Sequence, residues 1–250
     1  MKNLSIFIWN IANPSVERAA RQAEWLRKRP EDTLVLTEAK HSEGCLFLER
    51  YFLAYGYNVV FKRPNEKEFG VIIASRRIMS SSNFLHRINY LQSRVASIKL
   101  NINGSDLELI GVYVPSRDKS YEKTERKKKF LENINNALDL NPISSERIFC
   151  GDFNVLEPNH IPRYPFFEEW EYSFYRNLEN YNLQDAFRFL NPDIQEYSWV
   201  GRTGDGYRYD HCFVSSDLLA QVKQCYYFHE PRQYEKKLSD HSALIIELNL

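Results

Sequence analysis

Apolar positions along the chain fall into many short runs, interleaved with fewer stretches of helical periodicity. Leu4 to Trp9 reads as a strand ending at Asn10. Asn13-Pro14 then reads as an N-cap followed by Pro in the first helical position. Val16, Ala19, Ala20, Ala23 and Leu26 recur at helical spacing, predicting an amphipathic helix to about Arg29. Thr33 to Thr37 predicts a strand with Glu38 directly after it, and Glu43 to Tyr55 a helix. Tyr57 to Lys62 and Gly70 to Ser75 predict two paired strands. Arg94 to Asn101 alternates, Asn103-Gly104 is a hairpin signal, and Leu107 to Val114 returns as an apolar strand. Lys119 to Leu140 predicts a helix with Phe130, Leu131, Ile134 and Leu138 inward. Arg147 to Cys150, Arg208 to Ser215, Val222 to Phe228 and Ser242 to Leu248 read as further strands, and the aromatic stretch Leu156 to Glu196 as carrying short helices. So many strands exceed a simple doubly wound sheet. The pattern predicts an α/β protein with two packed sheets and helices outside them.

Composition narrows the class without naming a function. The chain has 250 residues, 43% hydrophobic and 26% charged, an ordinary globular balance. No repeat or Pro/Gly/Ser-rich linker interrupts it, which predicts one domain over residues 1–250. A formal net charge of +0 argues against a strongly basic nucleic-acid coat but leaves room for a local basic rim. The four Cys (45, 150, 212, 225) form no CxxC or metal-finger spacing and read as reduced, buried thiols. No run is long enough to span a membrane, and the apolar N-terminal run lacks the length and cleavage site of a signal peptide. The expectation is a monomeric cytoplasmic protein.

The candidate chemistry lies where apolar strands stop. Cys150-Gly151-Asp152-Phe153-Asn154 puts an acid and an amide just past a buried strand, after a Gly that permits a sharp turn. Asn10, Glu38, Tyr113, Asp210 and Asp240-His241 occupy similar places. Singly, each is an ordinary cap or turn residue. Together, at strand ends that converge on one sheet edge, they suit phosphodiester hydrolysis. Glu38 would be the main oxygen ligand of a hard divalent cation. Asp152 would deprotonate the attacking water, and Asn154 and His241 would donate to the phosphate as charge builds. Asp210 is available to fix the imidazole tautomer.

These motifs resemble the exonuclease III / class II AP endonuclease branch of the endonuclease-exonuclease-phosphatase superfamily, over nearly the whole chain. Trp9-Asn10, Leu36-Thr-Glu38-Ala-Lys40, Gly111-Val-Tyr113-Val-Pro115, Gly151-Asp-Phe-Asn154 and Ser239-Asp-His241 resemble the superfamily motifs. Asp185-Ala-Phe-Arg188, Asn191-Pro192, Tyr197-Ser-Trp199 and Gly206-Tyr-Arg208-Tyr-Asp210 resemble those of the nuclease branch. The resemblance implies a four-layer α/β/β/α sandwich and a metal-dependent enzyme, usually with Mg²⁺, for which Mn²⁺ would substitute. It implies Asn10, Tyr113, Asp152, Asn154, Asp210 and His241 in catalysis, and Glu38, Asn10 and Asp240 on the metal side. It implies DNA as partner, with Trp199, Tyr207, Arg208 and Tyr209 on the substrate side and the aromatics walling an extruded abasic sugar.

Ala12 stands where relatives often carry a polar group near the metal, Ala186 and Val200 replace a hydroxyl residue and an aromatic, and Tyr209 and Phe213 are bulkier than the common aliphatics. Arg117 is placed to contact phosphate, and Arg76-Arg77 and Arg87 are further rim candidates. Lys123 to Lys129 reads as a solvated helix face with phosphate contact as the alternative. Two other functions fit the same residues: a hydrolase of another phosphoester (general DNA, RNA, a nucleotide or a lipid), and a DNA-binding protein without turnover.

Overall fold

The computed structural model describes residues 3–140, 146–233 and 237–250. In chain order the first half holds β1 (Asn3–Asn10), α1 (Val16–Arg27), β2 (Thr33–Ala39), α2 (Glu43–Ala54), β3 (Asn58–Phe61), β4 (Gly70–Ser75), β5 (Met79–Ser81), β6 (Val95–Ile102), β7 (Ser105–Tyr113) and α3 (Tyr121–Asp139). The second half holds β8 (Arg147–Asp152), α4 (Glu169–Asn177), β9 (Leu183–Asp185), α5 (Ala186–Leu190), β10 (Trp199–Val200), β11 (Gly206–Tyr207), β12 (Asp210–Ser215), α6 (Ser216–Leu219), β13 (Val222–Phe228), α7 (Glu230–Gln233) and β14 (Ala243–Asn249).

Two six-stranded sheets form the centre. One runs β13-β14-β1-β2-β4-β3 and the other β5-β6-β7-β8-β12-β9. Each is antiparallel except for one parallel pair, β1 with β2 and β7 with β8. Side chains alternate across each strand, so central strands serve two cores at once. In β1, Leu4, Ile6 and Ile8 enter the core between the sheets, while Phe7 and Trp9 pack outward against Ala19, Ala23 and Leu26 of α1 and Leu48 and Phe52 of α2. On the other side Ile110, Val112 and Phe149 face Phe130, Leu131 and Ile134 of α3 and Phe174 of α4. The result is the α/β/β/α layering the sequence predicts. The sheets approach closely at Gly111, where an added Cβ would come within 2.7 Å of Val35 Cγ1.

Local differences have clear causes. Ser15, not Asn13, caps α1, its hydroxyl accepting from Arg18 N–H. Asn13 sits in left-handed backbone at φ 39, and its carbonyl is used by the Arg18 guanidinium. The short ribbon β10–β11 was not legible as strands, because two-residue strands carry no periodicity. Asn103-Gly104 does turn the β6–β7 hairpin, with both residues at positive φ as a two-residue loop requires.

Candidate active site

The site forms where β1 and β2 of one sheet and β7 and β8 of the other end, and where β12 begins. Gly151 makes the delivery of Asp152 possible. It has φ 138, and a Cβ there would lie 2.0 Å from Val112 O on the neighbouring strand. β8 therefore runs against β7 at a distance only a glycine permits, and Asp152 emerges opposite both Tyr113 and Asp210. On β2 the pairing with β4 shifts register between Leu36 and Ala39. Glu38 lies in that bulge at φ 56, a conformation that re-aims its side chain toward the strand ends.

The last segment is pinned onto β1. Ser239 Oγ donates to Asn10 O at 2.6 Å and accepts from His241 N–H at 3.2 Å. The Trp9 indole donates to His241 O at 3.1 Å. Ser198 ties the third side: its hydroxyl accepts from the N–H groups of Tyr209 and Asp210, and its carbonyl accepts from Ser242 N–H.

Asn10 joins the two acidic halves. Its amide NH₂ donates to Glu38 Oε2 at 3.0 Å and to Asp152 Oδ2 at 2.8 Å. Tyr113 OH donates to the same Glu38 oxygen at 3.1 Å. Asp152 Oδ1 accepts from Asn154 N–H at 2.9 Å. His241 Nδ1 lies 2.8 Å from Asp210 Oδ2, and ligand atoms of Asp152, Asp210 and His241 all fall within 4.8 Å of one another.

Electrostatics follow from this crowding in a buried place. Burial, and then the charge of Asp210, push the Asp152 carboxyl up to about 7, against His241 and Asn10. Burial alone would lower His241, but the charge of and hydrogen bond to Asp210 raise it to about 9. Burial, with the charges of Glu38 and Asp152, holds the Tyr113 phenol well above its ordinary value, so it stays a donor. The arrangement thus presents a carboxylate base with a near-neutral pKa beside a protonated imidazole.

The donor set suits a hard divalent cation. Glu38 Oε1 and the buried Asp210 Oδ1 have no hydrogen-bond partner among the described residues. Asn10 bridges the two carboxylates through its NH₂, and its Oδ1 accepts from Ala12 N–H at 2.8 Å, leaving that oxygen's second lone pair as its share in the predicted metal side. Asp240 is half-buried and accepts from the Trp199 indole at 3.0 Å. Asn154, at φ 49, spends one amide hydrogen on Val114 O at 3.0 Å.

The predicted aromatic wall assembles beside the acids. Tyr207 stacks on Tyr209 with centroids 5.2 Å apart and on Tyr164 at 4.4 Å, and Trp199 packs on both Tyr207 and Tyr209. The two basic predictions are corrected. Arg208 is fully buried and pairs with Glu157 and Asp185, so it braces the wall from behind and presents no surface to a substrate. The Arg117 side chain is 3% exposed, donates to Phe166 O and pairs with Glu171, leaving it unable to reach a phosphate. Arg77 bonds Asn3 O at the opposite end of β1 from Asn10, away from any rim of this site.

Sequence reasoning missed Lys127, the inward member of the basic run. Its Nζ donates to Asn154 O and to Glu171 Oε1, both at 2.6 Å. The signal was present: position 127 continues the inward spacing of Phe130, Leu131 and Ile134. The rest of the run follows the solvated reading, with Lys123 paired to Asp118 and Lys128 to Glu125.

Strand-end acids, a bridging amide, a phenol and an Asp–His pair on an α/β/β/α sandwich define a phosphoester-hydrolase type of site. Residues 8–241 match the model of the Endonuclease/Exonuclease/phosphatase family, and the chain belongs to that family. Its fold is similar to that of an AP endonuclease from Archaeoglobus fulgidus, 25% identical, with 99% of this chain and 100% of that one covered and a TM-score of 0.79. It is also similar, at 23% identity, 99% and 100% coverage and a TM-score of 0.81, to a 3′ phosphatase from Neisseria bound to a product DNA hairpin. A 3′-5′ exonuclease from Neisseria meningitidis matches with the same figures. No curated protein matches the chain in sequence. The resemblance to the exonuclease III-like branch is borne out, and the chain is an enzyme of this family. Among the described residues no helix is long and apolar enough to cross a membrane.

Proposed function

We propose that the protein is a Mg²⁺-dependent phosphodiesterase acting on DNA, cleaving 5′ to abasic sites, trimming 3′ ends, or both. One observation carries the reading: Asn10 bridges Glu38 and Asp152, while Asp210 holds His241 within the same 4.8 Å group as Asp152. Base, phosphate donor and acidic ligand are therefore linked into one cluster of side chains. Asp152 takes the proton of the attacking water. Asn10 keeps that carboxylate aimed, and Asn154 keeps one amide hydrogen for the phosphate. His241, kept protonated by Asp210, donates to a non-bridging oxygen as negative charge builds. Tyr113 stays a neutral phenol and holds Glu38 in place. Glu38, with Asp240 nearby, would hold the cation, which when bound offsets charge on the phosphoryl group.

DNA is favoured by the similarity to the archaeal AP endonuclease. The Trp199–Tyr207–Tyr209 wall offers flat apolar surface suited to a sugar without its base or to a terminal nucleotide. We read the protein as a monomer, and its four free, buried cysteines fit a reducing compartment such as the cytoplasm. The test is incubation with an abasic duplex, a 3′-phosphate end and a recessed 3′ end, with and without Mg²⁺ or Mn²⁺. Cleavage that requires the metal supports the reading. No product from any of these with any divalent ion overturns it.

A further inference from the structure

Asn154 occupies left-handed backbone at φ 49, and three contacts hold it there. Its N–H serves Asp152 Oδ1, its side chain serves Val114 O, and its own carbonyl accepts from Lys127 Nζ at 2.6 Å. Lys127 is 1% exposed, and its other strong partner, Glu171, is 0% exposed. Glu171 also takes Arg117 at 2.5 Å and the Glu168 N–H at 3.0 Å, which caps α4. Burying an ammonium costs far more than burying the methylenes around it, so an apolar residue would join α3 to its neighbours at lower cost. The ammonium is needed only where an acceptor must be held in place, and the acceptor here is the carbonyl of the turn that joins Asp152 to Asn154.

We propose that Lys127, oriented by Glu171 and Arg117, is a positioning residue: it clamps the Asn154 carbonyl and thereby fixes the turn that aims Asn154 and Asp152 at the substrate. The inference rests on the proposed function for what those two residues do, but not for the clamp itself. Burial lowers the Lys127 ammonium from its ordinary value, and Glu171 offsets only part of that.

The experiment compares Lys127→Met with Leu138→Ala, a core truncation about three helical turns further along α3. Amide hydrogen exchange at Asn154 is read in the metal-free protein, and kcat and KM are read on whichever DNA substrate the wild type cleaves. Lys127→Met is expected to speed Asn154 exchange beyond its effect on global stability and to lower kcat by about 10- to 100-fold with KM unchanged. Lys127→Arg should recover part of both, and Leu138→Ala should move neither beyond its change in stability. If Lys127→Met does not fold, Glu171→Gln carries the same two readouts. Exchange at Asn154 that tracks global stability equally in both variants overturns the clamp. Absence of wild-type turnover overturns the proposed function instead, and the exchange measurement still decides the clamp.

Discussion

His241 and Asp210 form a buried pair, Nδ1 to Oδ2 at 2.8 Å, whose other carboxylate oxygen has no hydrogen-bond partner among the described residues. Asp210 is reached from the same side by Asp152, so one carboxylate tunes two neighbours. It raises the imidazole and raises the base together.

A pH dependence of stability follows. His241 titrates at about 9 in the folded protein against an ordinary value of 6.5. Its stabilising share is whole below about pH 6.5 and is lost as pH rises through about 9. Denaturant midpoints of the metal-free protein are expected to fall between those limits, and Asp210→Asn should flatten the fall. Equal slopes in both proteins would show that the pair is not the source.

The same carboxylate shapes the rate. Activity should rise as Asp152 loses its proton and decline as His241 loses its own, giving a bell-shaped kcat/KM profile. Asp210→Asn is expected to move both limbs to lower pH. Asp152→Asn should cost about 10² to 10⁴ in kcat while leaving the thermal midpoint within a few degrees. A loss below tenfold would assign the base elsewhere.

In the proposed mechanism Glu38 ties activity to a cation. Chelation should abolish turnover, and Mg²⁺ or Mn²⁺ should restore it. Glu38→Gln is expected to raise the metal concentration needed for half-maximal rate by about tenfold or more. An unchanged metal requirement would move the ligand to another carboxylate.

Arg208 is a stability residue in this structure. Arg208→Met leaves Asp185 and Glu157 buried with a cation removed, although Arg188 still reaches Glu157 at 2.8 Å. Loss of about 3 kcal/mol is expected, lowering the thermal midpoint by roughly 10 °C. KM for DNA measured well below that midpoint should change little. A large KM effect with full stability would return Arg208 to the substrate side.

Much of the strand order in time was legible, because central strands buried on both faces read as continuous apolar runs and because Asn103-Gly104 declares its hairpin. Asp152, Asp210 and His241 were legible as strand-end polar residues, and the structure does bring them together. Charge was the poor guide. Arg117, Lys127 and Arg208 look alike in sequence, exposed cations available for phosphate, yet all three are buried against Glu171, Glu157 or Asp185. A pairing across 44 residues, as between Lys127 and Glu171, leaves no local signature.

The sequence by itself determined where most strands and helices run, which faces are apolar, and the chemistry carried at or near the strand ends, since these depend on local pattern alone. Tertiary structure decided which cations are spent inside, that Asn10 bridges Glu38 and Asp152, and how Gly151 and the Glu38 bulge aim their neighbours. Those outcomes depend on groups far apart in the chain competing for the same buried space. There the cost of an unpaired charge, rather than any local preference, selects the partner.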